Sequence, residues 1–316
     1  MQLSTRILLI GAGPMAQAYA KVLKALKVSF SVAGRSEISA ATFLKETGIK
    51  PSTGGLEKFL AHNDETYSKA IVATSAETLA HCCSSLLDHG IKNILLEKPG
   101  GLNSDEIAHI NSKAVEKKAN VCIAYNRRFY SSVNKAVEFI KNDGGITSFH
   151  FEFTEWSHVI EPLKKAEGLK ERWFLLNSTH VVDLAFYLGG KPEEIVSFSS
   201  GSLSWHPKSV YSGAGISGSD TLFSYHANWQ APGRWGVELM TKKHKLILRP
   251  LEALQIQNLS SIEINEVDID DALDKNFKPG LYKQTKAFLE DDLNNFCTLE
   301  EQHNAFTSYY RKICGY

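Results

Sequence analysis

The sequence predicts an α/β protein in two parts: a doubly wound parallel sheet, then an α+β region on a mainly antiparallel sheet. Three observations carry this. Short apolar runs alternate with helical patterns over residues 1–125, as parallel strands with crossover helices require. A glycine-rich turn joins the first run to the first helical pattern. Beyond residue 126 the runs follow one another with few helices between them and alternate apolar with polar, the pattern of strands with one buried face. A length of 316 residues fits two cores. The expected domains are 1–125 and 126–316.

Lys plus Arg equals Asp plus Glu, 35 each. Zero net charge gives no electrostatic reason to expect nucleic acid or a membrane surface as partner, and no apolar run is long enough to span a bilayer. The start, Met1 to Arg6, leads straight into a strand-like run and the glycine turn, so cleavage of a signal peptide would destroy the motif. The expected compartment is the cytoplasm. Five cysteines, Cys82, Cys83, Cys122, Cys297 and Cys314, show no C-x-x-C spacing and read as buried thiols. No H-E-x-x-H or clustered Cys/His pattern calls for a metal.

Ile7 to Ile10 is a continuous apolar run, expected of a strand buried on both faces. It enters Gly11-Ala12-Gly13-Pro14-Met15-Ala16, after which Met15, Tyr19, Val22, Leu23 and Leu26 recur at helical spacing. This is G-x-G-x-x-A between strand and helix. Gly11 permits the tight turn, Gly13 lets backbone approach a pyrophosphate, and Ala16 allows helix and strand to pack closely. Pro14 suits a first helical turn, where its missing N–H costs nothing, and the remaining free amides of that turn face the phosphates. The pattern predicts dinucleotide binding.

The second strand, Val28 to Ala33, ends at Gly34-Arg35-Ser36. An NAD site commonly has an acidic residue here for the ribose 2′-hydroxyl. An arginine beside a hydroxyl instead suits a 2′-phosphate, so Arg35 and Ser36 point to NADP(H) in preference to NAD(H). Helices are expected over Ser39 to Thr47, Leu56 to His62 and Glu77 to His89. A third strand, Ala70 to Ala73, ends at Thr74-Ser75. A fourth, Ile94 to Leu96, ends at Glu97-Lys98-Pro99. Asn103-Ser104-Asp105 is expected to cap a helix reaching about Lys118, and a fifth strand, Val121 to Ala124, ends at Tyr125-Asn126-Arg127-Arg128-Phe129. In such sheets ligands lie outside the carboxyl ends of the strands. The glycines, Arg35, Thr74, Lys98 and Tyr125 all fall at such ends.

Gly11-Ala12-Gly13-x-x-Ala16, Glu97-Lys98-Pro99 and Tyr125-Asn126-Arg127-Arg128-Phe129, in this order and spacing, resemble the Gfo/Idh/MocA family. The resemblance covers the N-terminal part clearly and the remainder more loosely. It implies a Rossmann domain followed by a substrate domain on an open, mainly antiparallel sheet. It also implies NAD(P)-dependent oxidation or reduction of sugars, sugar nucleotides or polyols, and a homo-oligomer built on the open face of that sheet. Lys98 is then a catalytic residue, with Glu97 and Lys98 beside the cofactor and the Lys98–Pro99 bond a candidate cis peptide.

In the second half, a helix is expected over Ser131 to Asn142, and strands at Thr147 to Phe153, Glu194 to Ser199, Thr221 to Gln230, Trp235 to Thr241, Lys245 to Leu248 and Ala253 to Gln257. A Ser/Gly-rich loop, Ser199 to Ser219, holds Trp205-His206. An acidic surface stretch, Glu263 to Asp274, and two closing helices, Tyr282 to Asp291 and Glu300 to Ile313, follow. Between the first two of these strands, His180 and Asp183 stand at i and i+3 of a helix and share a face. The resemblance makes His180 the candidate proton acceptor or donor, which its unperturbed pKa suits, with Asp183 orienting its ring or serving the helix start. Members with a Lys–Asp–His set carry an Asp four residues before the His; here Leu176 stands there, with Asn177 beside it. Tyr125, Asn126, Arg127, Asn177 and Asp183 are candidate substrate contacts. Arg127 and Arg128 could bind an acid group or divide between core pairing and solvent. The alternatives to a sugar oxidoreductase are a dinucleotide-binding regulator or scaffold that has lost chemistry, and a reductase of an imine or tetrapyrrole-like system.

Overall fold

A computed structural model describes residues 6–315; the segment 1–5, read above as leading into the first strand, lies outside the described residues. The chain divides into two compact units, Met1–Asn126 with Leu273–His303, and Arg127–Ala272 with Asn304–Tyr316.

The first unit begins with β1 (Ile7–Ile10), α1 (Pro14–Ala25), β2 (Phe30–Ala33), α2 (Glu37–Thr47), α3 (Leu56–Ala61), β3 (Lys69–Val72), α4 (Leu79–Asp88), β4 (Asn93–Leu96), α5 (Ser104–Lys117) and β5 (Asn120–Ile123). The five strands run parallel in the order β5-β4-β3-β1-β2. All four residues of β1 are buried, which is why the run carries no polar position. Burying each such side chain contributes ~1.5–3 kcal/mol. Gly11 follows at φ +115°, where a Cβ would run into the Ala73 carbonyl. Only glycine fits between the ends of β1 and β3.

The second unit carries α6 (Ser131–Asn142), β6 (Ile146–Glu152), α7 (Ser157–Ile160), a π-helical turn (Phe174–Ser178), α8 (Thr179–Gly189), β7 (Pro192–Ser200), β8 (Val210–Ser217), β9 (Leu222–Asn228), β10 (Gly236–Thr241), β11 (His244–Leu248), β12 (Gln255–Asn258) and β13 (Ile264–Glu266). These eight strands form one sheet, ordered β13-β12-β11-β10-β6-β9-β8-β7. All neighbours are antiparallel except β6 and β9, which pair in parallel with Phe149 opposite Phe223 and Phe151 opposite Tyr225. On one face Phe149, Phe151 and Phe223 meet Phe186 of α8 edge-on at 5.2–6.1 Å. The other face leaves Val196, Phe198 and Leu222 at least 60% exposed.

The chain then returns through α9 (Ala272–Asn276), α10 (Leu281–Leu289), β14 (Cys297–Thr298) and α11 (Leu299–Ala305), and closes with a π-helical turn (Phe306–Tyr310) and α12 (Arg311–Cys314). This corrects the expected division in one respect. Segment 273–303, assigned from sequence to the second domain, packs with the first unit. β14 pairs antiparallel with β5, Cys297 opposite Ile123. The buried Lys69 ammonium donates to the carbonyls of Phe288 and Leu289 at 2.8 and 2.9 Å, closing the C-terminus of α10. A second difference concerns Ser199 to Ser219, expected as a loop, which contains β8. Trp205 and His206 are buried rather than overlying a site: Trp205 stacks on Trp229 at 5.8 Å and His206 lies 4.6 Å from the same ring.

Candidate active site

In the first unit a cavity of about 790 Å³ opens at the carboxyl ends of β1, β2 and β3. Gly11, Gly13, Pro14, Met15, Arg35, Ser36 and Thr74 line it. Ala16 is buried beneath, on the side of α1 that packs inward. The N-terminus of α1 begins at Gly13 with no side-chain cap and no acidic residue in its first turn. A Cβ added at Gly13 would meet nothing within 4 Å among the described residues. Uncapped amides facing open space suit a pyrophosphate. A dinucleotide therefore fits the residues present.

At the end of β2, Gly34 donates its amide to the Ser52 carbonyl at 2.8 Å. Arg35 follows, exposed, and Ser36 caps α2 by accepting the Ser39 amide at 3.2 Å. Glu37, one position on, is bonded to Thr53. Sequence reasoning missed Ser39, Glu57, His81 and Cys82, which also line the cavity. Glu57 lies in the first turn of α3, where its own backbone amide, then His81 and Ser85, holds its carboxyl below the usual range. His81 Nε2 lies 2.8 Å from Glu57 Oε1. A Gly-Gly pair before a helix start was the available signal for Glu57; His81 carries none, since its role depends on two helices meeting.

Lys98, half-buried, stands in the turn after β4, and its bond to Pro99 is cis. Neighbouring residues fix that turn from below. Glu97 is buried and accepts from the Tyr19 hydroxyl at 2.9 Å. Burial pushes the Glu97 carboxyl up, with the Lys98 charge opposing; burial likewise holds the Tyr19 phenol well above its ordinary value. Gln302, fully buried on the returning α11, donates to the Pro99 carbonyl at 2.9 Å and to the Tyr125 hydroxyl at 3.1 Å. Asn126 donates to the Pro279 carbonyl at 2.8 Å. Tyr125 and Asn126, expected to contact substrate, are both buried and both tie the returning segment to the sheet.

In the second unit, His180 is the second residue of α8, 7% exposed, its ring 6.1 Å from that of Trp235. The sequence pairs Asp183 with His180. In the structure Asp183 receives Arg128 bidentately, Nε to Oδ2 at 2.9 Å and Nη2 to Oδ1 at 2.5 Å, both side chains buried. The adjacent arginines therefore divide. Arg128 enters this core pair and lies over Tyr187 at 4.8 Å. Arg127 is half-buried over Trp235 at 4.7 Å, and burial lowers its pKa. Its Nε has no hydrogen-bond partner among the described residues. Arg234 lies over Trp235 at 4.5 Å and over Trp156 at 4.7 Å. Asn177 donates to both oxygens of Glu155, at 3.0 and 3.1 Å. Glu155 was not singled out from sequence.

Residues 5–125 match the family model described as "Oxidoreductase family, NAD-binding Rossmann fold", GFO_IDH_MocA. The N-terminal domain is a Gfo/Idh/MocA domain. No curated protein matches the chain by sequence. Among solved structures, UDP-N-acetylglucosamine 3-dehydrogenase GnnA from Acidithiobacillus ferrooxidans is similar with 14% identity and a TM-score of 0.75, over 99% of this chain and 97% of that one. Levoglucosan dehydrogenase in complex with NADH and L-sorbose is similar with 18% identity and a TM-score of 0.76, over 95% and 93%. An oxidoreductase from Agrobacterium radiobacter in complex with NAD+, L-tartaric acid and magnesium shares 12% identity and a TM-score of 0.74, over 96% and 93%. At these identities the likeness is one of fold, and it extends past the Gfo/Idh/MocA domain over nearly the whole chain.

Proposed function

We propose that this chain is an NADP(H)-dependent oxidoreductase acting on a secondary alcohol or ketone of a sugar, sugar nucleotide or polyol. The observation that carries the proposal is the dinucleotide-sized cavity at the strand ends, with an uncapped helix start for the pyrophosphate and Arg35–Ser36 where a carboxylate would stand for NAD. The similar structures named for dehydrogenation of a sugar nucleotide and of levoglucosan support the substrate class. Gly11, Gly13, Pro14, Met15 and Ala16 would hold the pyrophosphate, Thr74 would flank the adenosine side, and Arg35 and Ser36 would hold the 2′-phosphate. When bound, the nicotinamide supplies the hydride acceptor or donor.

The chain's own residues handle charge and protons. Lys98 is the proposed cation for a developing alkoxide, whose proton it makes easier to remove. His180 is the proposed acceptor of that proton in oxidation and its donor in reduction. Arg127, short of a hydrogen-bond partner at Nε, is the proposed contact for substrate oxygens; Tyr125, Asn126, Asn177 and Asp183 would shape the substrate region chiefly by holding neighbouring backbone and side chains. The exposed apolar positions Val196, Phe198 and Leu222 suit a homo-oligomer formed on that sheet face, and five free, buried cysteines suit a reducing cytoplasm.

The second reading is a dinucleotide-binding regulator, favoured by Leu176 where a carboxylate would complete a Lys–Asp–His set. Oxidation of NADPH in the presence of sugars, ketoses and sugar nucleotides separates the two. Turnover supports the oxidoreductase; tight NADPH binding without turnover across the set supports the regulator.

A further inference from the structure

Glu155 follows β6 by three residues and is 1% exposed. Its Oε1 accepts from Asn177 Nδ2 at 3.0 Å and from Ser178 Oγ at 2.8 Å. Its Oε2 accepts from Asn177 Nδ2 at 3.1 Å and lies 3.5 Å from Arg234 Nη1. Asn177 and Ser178 are the last two residues of the π-helical turn Phe174–Ser178, and α8 starts immediately after, with His180 its second residue. Such π turns are rare and concentrate at functional sites. Glu155 thus grips, from a different element, the two residues that set where His180 begins. It does so one position from Leu176, where the helix itself supplies no carboxylate.

We infer that Glu155 is a positioning residue for His180: its carboxylate, delivered by the end of β6, fixes the turn from which the histidine projects and sets the charge beside it. The inference rests on the reading of His180 as the proton-transferring group. A structural role alone would not demand a buried acid here. Two donor side chains, making three hydrogen bonds, and a nearby guanidinium converge on one carboxylate, and an amide or a leucine would fill the same space without the desolvation penalty of a charge. The charged groups facing Glu155 are Arg234 beside Trp235 and, further off, Arg127, itself influenced by Glu252. His158 and Glu161 share with it the lining of a cavity of about 770 Å³. Burial, opposed by Ser178, Arg234 and Asn177, pushes the Glu155 carboxyl up to about 7. The charge it places near the His180 turn therefore changes through neutral pH.

The test uses the full chain labelled with ¹³C- and ¹⁵N-histidine, the His180 signal being assigned by its loss in His180→Gln. In the wild type that signal is expected to show an inflection near pH 7 from Glu155 in addition to its own. In Glu155→Gln that inflection disappears, and the His180 midpoint falls by ~0.5 unit or more as the negative charge is lost. Asn177→Ala, which releases the turn from the other side, moves the same signal. With a turned-over substrate, Glu155→Gln lowers kcat ~10–100-fold with KM within ~3-fold, and Glu155→Asp restores part of the loss. A His180 titration unchanged in both Glu155→Gln and Asn177→Ala overturns the inference, and this arm needs no substrate. A wild-type chain that turns over none of the substrate set defeats the oxidoreductase reading instead, leaving the histidine titration to decide the role of Glu155.

Discussion

Replacing Arg35 with alanine should separate the two nicotinamide cofactors. Arg35 is exposed on the rim of the dinucleotide cavity, between the end of β2 and the start of α2, with Ser36 and Ser39 beside it. Against a unit charge ~4 Å away, its guanidinium is worth about 1 kcal/mol in bulk water and about 4 kcal/mol in the intermediate dielectric near a protein surface. Exposure keeps Arg35 in the lower part of that range. A charge-assisted hydrogen bond contributes ~1.5–3 kcal/mol. Arg35→Ala should therefore raise the NADPH Kd by ~10–150-fold, while the NADH Kd, which involves no 2′-phosphate, changes by less than ~3-fold. Fluorescence titration of both cofactors measures this. The NADPH advantage should also shrink with added salt in the wild type and not in the variant. Equal losses for the two cofactors would refute the 2′-phosphate assignment.

Three further outcomes concern stability. Asp183→Asn removes the charge that compensates buried Arg128 and should cost ~3–5 kcal/mol; all five tryptophans lie in the second unit, so urea unfolding followed by their emission reads that loss directly. Tyr19→Phe withdraws the hydroxyl that Glu97 accepts from and should cost ~1–3 kcal/mol, read as a lower midpoint in unfolding followed by circular dichroism. Glu155 has a folded pKa raised to about 7 from 4.5, so the folded state holds the extra proton between those values. That contribution to stability is fully present below about pH 4.5 and is lost as pH rises through about 7, up to ~3 kcal/mol in all. Glu155→Gln should flatten this slope, and an unchanged slope would show that the group does not titrate there.

The Rossmann part was legible because each signal is local. β1 is apolar at every position since both its faces are covered, and Gly11 stands where any Cβ would strike the Ala73 carbonyl. Other features are fixed only by tertiary packing. β8 was read as loop because Gly213 and Gly215 lack strand propensity; they sit in a strand because the rings of Tyr225 and Phe223 on β9 occupy the space side chains would need. The return of 273–303 to the first unit rests on a two-residue strand and on Lys69 closing a helix end more than 200 residues away, neither of which leaves a periodic trace. The Arg128–Asp183 pair spans 55 positions, and its spacing says nothing of its partner. Glu155 reads as one more surface acid until burial and the donors of Asn177 and Ser178 are seen.

The central claim is that this chain moves a hydride to or from NADP(H) with Lys98 as its charged helper. The most direct measurement incubates wild type and Lys98→Met with NADP and a set of sugars, polyols and sugar nucleotides deuterated at their secondary carbinol carbons, then weighs the recovered cofactor by mass spectrometry. Deuterium should appear in the reduced cofactor with the wild type. Its rate should fall by at least ~100-fold in Lys98→Met, with NADPH affinity largely kept. Tight NADP binding with no label from any substrate, or label transferred at an equal rate by Lys98→Met, would contradict the account.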